Sequence, residues 1–213
     1  MRMYKFLYMR DGKIMSQHGK DDWKVGVEKS VTGTVELCHN GYHASKEPLQ
    51  ALGYVYGDIL AVVEGNGDAD HEDDKSCFRT MKIVEAYKWT QADSVALAIY
   101  AAEQVIKIYE DKYPTDSRLR DAIKAAKAYL KDPSKKNRDA ARAAAYAAAR
   151  AAGYAAYAAA YAAAYAAARA AGYAAYAAAY AAYAAAYAAD AEMTAKINRW
   201  VKARKKKLER IDG

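Results

Sequence analysis

The chain has 213 residues, with 33 Lys and Arg against 26 Asp and Glu, a net charge of +7 and 54% hydrophobic letters. Three Pro and 28% charged residues exclude collagen-like and ordinary disordered classes, and two Cys cannot build a disulfide framework or a four-Cys zinc site. The charge is uneven: residues 1–92 carry 12 basic and 14 acidic side chains, net −2, and the remaining 21 basic and 12 acidic give 93–213 a net +9.

The first half reads as mixed α+β. Tyr4 to Met9 and Lys13 to Ser16 flank Asp11-Gly12, a dipeptide that accepts the positive φ of a tight hairpin turn. Thr34 to Cys38, Asp58 to Glu64 and Arg79 to Tyr87 are further strand candidates, rich in β-branched residues. Between the first two of these a short helix is expected, capped by Ser45 and presenting Leu49, Leu52 and Val55 on one face. Gly65 to Lys75 is polar enough to predict a loop.

From Asp93 the apolar period changes from two to about 3.6. Val95, Ala98, Ile99, Ala102, Val105, Ile106 and Tyr109 make a stripe that stops at Tyr113-Pro114, and Leu119, Ile123, Ala126 and Leu130 make a second that stops before Pro133. A third helix, capped by Ser134, is then predicted through residues of which 35 in the 51 from Asp139 to Ala189 are Ala and 10 are Tyr. Its large residues form one seam that includes Arg150, Tyr154, Tyr157, Tyr161, Tyr165, Arg169, Tyr173, Tyr176 and Tyr180. Residues 194–211 read as a basic amphipathic helical tail, and residues 193–213 carry a net +6.

The expected fold class is therefore α+β: a small mixed α/β N-terminal domain followed by an Ala/Tyr-rich, all-α region with one very long helix. The expected divisions are 1–92 for the N-terminal domain, 93–133 for a two-helix hairpin, 134–190 for the long Ala/Tyr helix and 191–213 for the basic tail.

Two stretches resemble known families. Residues 112–123, KYPTDSRLRDAI, with the Ala-rich helices around them, are similar to the helical immunity proteins of bacterial polymorphic toxin systems, over residues 95–175. Residues 1–90, with LCHNGYHASKEPLQALGYVYGD, a VVE strand and an acidic stretch, resemble an uncharacterised domain of phage and prophage proteins that precedes Ala-rich repeats. The resemblances imply a phage-type viral protein working in the cytoplasm of a bacterial host.

The candidate chemistry lies in the first domain. Cys38, His39, His43, His71 and Cys77 are metal-ligand types, but Cys38 and His43 have no second paired motif, so no metal is expected, and no cofactor. Arg10, then His43 with Ser45, then Glu72 or Asp73 follow the residue order of ADP-ribosyltransferase-like enzymes, a resemblance that implies a nucleotide-binding reading. Tyr interleaved with Arg, beside a basic tail, supports a nucleic-acid platform. The favoured reading is a non-enzymatic interaction protein. In it an Ala/Tyr surface too large to be covered within one chain drives homo-oligomerisation, and the protein binds a host target such as a defence-system component, with no membrane span.

Overall fold

In a computed structural model of the chain, the described residues are 1–18, 22–141, 143 and 191–212. They form β1 (Arg2–Arg10), β2 (Lys13–Met15), β3 (Asp22–Trp23), β4 (Glu28–Ser30), β5 (Tyr42–Ala44), α1 (Pro48–Tyr54), β6 (Ile59–His71), β7 (Ser76–Lys88), α2 (Gln91–Lys112), α3 (Arg118–Lys131), α4 (Ala191–Lys205) and β8 (Arg210–Ile211). Residues 135–141 are also helical. Two compact units result, Met1–Trp89 with Val201–Gly213, and Thr90–Trp200.

The first unit is one antiparallel sheet. Its strand order is β3-β2-β1-β6-β7-β4, with β5 and β8 also pairing β7. Asp11 and Gly12 both take positive φ, 50° and 74°, which lets β1 turn directly into β2. At the other end β5 pairs β7 through His43↔Cys77. The chain then runs on to Ser45, which exchanges both backbone hydrogen bonds with Tyr4 of β1 at 2.8 and 2.9 Å. The sheet therefore curls until β5 bridges β7 and β1. Alternation on β1 sends Met3 and Leu7 into the core cluster with Ile59, Ala61 and Val63 of β6 and Met81, Ile83 and Ala86 of β7. Phe6 points to the opposite face and meets Trp89 edge-on, ring centroids 5.7 Å apart.

The C-terminal segment closes this sheet. Val201 is 1% exposed, Ile211 packs on the core cluster, and β8 pairs β7 through Ala86↔Ile211 and Tyr87↔Arg210. The Lys88 N–H donates to the Glu209 carbonyl at 2.9 Å. Lys202 reaches Glu47 at 2.7 Å and lies over the Tyr4 ring, and Lys205 reaches Glu85 at 2.5 Å and lies over the Tyr87 ring.

In the second unit α2 begins where Thr90 and Asp93 satisfy one another. The Thr90 N–H and hydroxyl donate to the Asp93 carboxylate at 2.9 and 2.6 Å, and the Asp93 N–H donates back to the hydroxyl at 3.3 Å. The break at Pro114 lets α3 fold back beside α2, burying Leu119, Ala122, Ile123, Ala126 and Tyr129. Glu103–Lys127 and Glu110–Arg120 ion pairs line the rim, and Tyr100 stacks on Trp200 with centroids 5.5 Å apart.

Several expectations are corrected. The first ninety residues are not a mixed α/β domain but a curled antiparallel sheet with one seven-residue helix. Among the described residues no helix is very long. The longest helix among the described residues is α2, 22 residues, which stops at Lys112 just before Pro114, as α3 stops at Lys131 before Pro133. Residues 142 and 144–190, on which most of that expectation fell, lie outside the described residues. Thr34 to Cys38 forms a turn with a single Glu36↔Asn40 bridge rather than a strand. Gly65 to His71 is strand, not loop: its backbone pairs with β7 from Ser76 to Met81, and polar side chains are no obstacle on an exposed hairpin. Ser45 does not cap α1. Glu47 is the N-cap, and its N–H is held by the Gln50 side chain at 3.0 Å. The basic tail is helical only to Lys205, after which it becomes β8.

Candidate functional site

The pairing of β5 with β7 gathers chemistry at the hairpin end of the sheet. His43 lies opposite Cys77, and the turn 36–40 folds over Cys77, whose thiol donates to the Asn40 and Glu36 carbonyls at 3.4 and 3.7 Å. That approach needs Gly41, at φ 135°, where a Cβ would stand 2.3 Å from the Cys77 sulfur. The same turn places Cys38 at φ 64°, uncommon for a residue other than glycine. Its N–H donates to His43 Nε2 at 3.0 Å, and its sulfur accepts from Lys75 Nζ at 3.3 Å.

Each of these groups has a physical assignment. His43 is held below its ordinary pKa, first by burial and then by the charges of Lys5 and Lys75, so the ring is neutral at pH 7. With Nε2 accepting from the Cys38 N–H, the ring clips its own loop. Lys75 is pushed up by its hydrogen bonds to Glu72 and Cys38, and it lies over the Tyr54 ring. Tyr54 is pushed up to about 12 by burial and by its hydrogen bond to Asp74 at 2.7 Å. Burial raises the Cys77 thiol. Lys5 follows Met3 and precedes Leu7 on the face that enters the core. Its ammonium sits deep, donates to the His43 carbonyl at 2.7 Å, and is pushed down to about 8 by burial.

The expected site residues are only partly brought together. His43 and Glu72 share this cluster through Lys75. Ser45 is buried and bonds Tyr4 through its backbone. Arg10 lies six residues further along β1, roughly 20 Å away at about 3.3 Å per residue, with its guanidinium over the Tyr8 ring. The Arg10, His43, Ser45 and Glu72 quartet is therefore not one constellation. The seam Arg150, Tyr154, Tyr157, Tyr161, Tyr165, Arg169, Tyr173, Tyr176 and Tyr180 lies outside the described residues. Among the described residues no group of three or more His, Cys, Asp or Glu could hold a metal ion, and no helix is long and apolar enough to cross a membrane. Lys5 was missed by sequence reasoning, although a lysine in phase with Met3 and Leu7 on an apolar strand face is a readable signal.

Comparison with known proteins places two families along the chain. Residues 88–213 match the Imm-5 like putative immunity proteins, and residues 10–94 match a domain of unknown function, DUF7666. No curated protein and no solved structure matches the chain.

Proposed function

Because the chain belongs to the family of Imm-5 like putative immunity proteins, we propose that it acts by binding a protein partner rather than by catalysis. The observation that carries this reading is the family match over residues 88–213, which spans the whole second unit and the closing segment of the first. The cluster around His43 supports it, since the ring accepts the Cys38 N–H at Nε2 and so holds a loop in place. The tail agrees as well: Lys202 and Lys205, which favoured nucleic acid in the sequence, are engaged by Glu47 and Glu85. The partner is a protein of a bacterial host, a defence-system component being the specific case, and the Ala/Tyr stretch supplies the surface through which copies of the chain self-associate.

The test uses the full chain and its Tyr161→Ser/Tyr180→Ser variant. Light scattering at micromolar concentration is expected to show an assembly for the former and its loss in the latter. Oligonucleotide binding is expected to be weak at about 150 mM salt in both. Tight oligonucleotide binding at that salt, abolished in a variant that still assembles, would replace the protein-partner reading with nucleic-acid recognition.

A further inference from the structure

The segment from Val201 to Asp212 docks on a surface made wholly by residues 1–89: Tyr4, Glu47, Glu85 and the β7 edge at Ala86–Lys88. The contact includes the last residues of α4, a two-residue strand with the Lys88 N–H bond to the Glu209 carbonyl, the ion pairs Lys202–Glu47, Lys205–Glu85 and Lys88–Glu209, the Lys202 and Lys205 contacts with the Tyr4 and Tyr87 rings, and two apolar anchors, Val201 and Ile211. The pairing of β1, β6 and β7 does not involve the segment.

We propose that in the assembled protein this segment is exchanged, the C-terminal strand and basic turn of one copy docking on the sheet of a second copy. Every copy carries both halves of the interface, so no foreign partner need match it. Residues 90–200 intervene as a separate compact unit, so the segment and the sheet it covers are joined along the chain only through that unit. Once copies are gathered, neighbouring segments compete at comparable effective concentration. Charge favours the encounter, because residues 193–213 carry +6 and residues 1–92 carry −2. The inference rests on the self-association reading above.

Two full-length variants test it, Glu85→Lys and Lys205→Glu. Each places like charges across the docking contact when the segment stays on its own sheet. Mixed, each sheet meets a complementary segment only by exchange. The readout is hydrogen exchange at the Lys88 amide, whose acceptor is the Glu209 carbonyl. Exchange is expected to be fast in either variant alone and to slow by about tenfold in the mixture. The double variant Glu85→Lys/Lys205→Glu shows that both substitutions permit folding. Protection in the double variant without rescue in the mixture, in chains that still assemble, would overturn the exchange and leave self-association standing. A native chain that scatters as a monomer would overturn the self-association on which the exchange rests.

Discussion

Replacing Lys5 by Met should make the protein more stable at neutral pH, and the gain should vanish in alkali. Burial brings the Lys5 ammonium from 10.5 down to about 8. Its folded pKa lies below its unfolded one, so in the window between them the unfolded chain binds more protons and native stability rises as pH climbs. A shift of that size corresponds to about 3 kcal/mol of penalty, fully present below pH 8 and absent above about 10.5. Against this, Met gives up the bond to the His43 carbonyl, a loss of about 1–2 kcal/mol at any pH. The variant should therefore lead by about 1–2 kcal/mol at pH 7 and trail by a similar amount above pH 10.5. Urea unfolding of the two proteins side by side, followed by the fluorescence of buried Trp23 and Trp89, measures the difference and cancels every other titration they share. A difference that stays constant between pH 7 and 11 would refute the desolvated ammonium and with it the inward course of the Lys5 side chain.

Three other outcomes are expected. Gly41→Ala should lower stability by about 2–4 kcal/mol in thermal unfolding, because the new Cβ would meet the Cys77 sulfur at 2.3 Å and the Phe78 carbonyl at 3.1 Å from a backbone at φ 135°; an unchanged melting temperature would contradict the wrapped turn. Glu85 is held below its ordinary 4.5, chiefly by the Lys205 hydrogen bond, so its contribution is present above that value and lost as pH falls below it. Glu85→Gln should flatten acid unfolding in that range, and a steeper acid limb would count against the contact. A thiol reagent at neutral pH should label exposed Cys38 and spare Cys77, which is buried and has its thiol raised, until the protein is unfolded; mass spectrometry of peptides resolves the two.

The readable parts of this fold are those set by local chemistry. Asp11-Gly12 announces its turn because few other dipeptides accept two positive φ angles, and Pro114 ends α2 because proline cannot continue it. Polar Gly65 to His71 hides a strand, since its partners are backbone groups of Ser76 to Met81, invisible to any pattern of side chains. Thr34 to Cys38 has strand composition but bends around Cys77, a contact made across 37 residues of sequence between Asn40 and Cys77. The site was half legible for the same reason. His43 and Glu72 could be named as polar residues in suggestive order and Lys5 could have been read from its phase with Met3 and Leu7, while Lys75 acquires meaning only once β5 closes against β7. Nothing in a run of Lys and Arg says that two of them will be met by Glu47 and Glu85.

The placement of β8 has a consequence during synthesis. β7 leaves the ribosome well before residues 210 and 211, and at about 5–20 residues per second the intervening stretch of the chain takes on the order of ten seconds to make. For that time the nascent sheet offers the backbone of Ala86 to Lys88 as an open edge, with Glu47 and Glu85 lacking their lysines. On a polysome, where several growing chains sit close together, the first basic segment to reach that edge need not belong to the chain that made it.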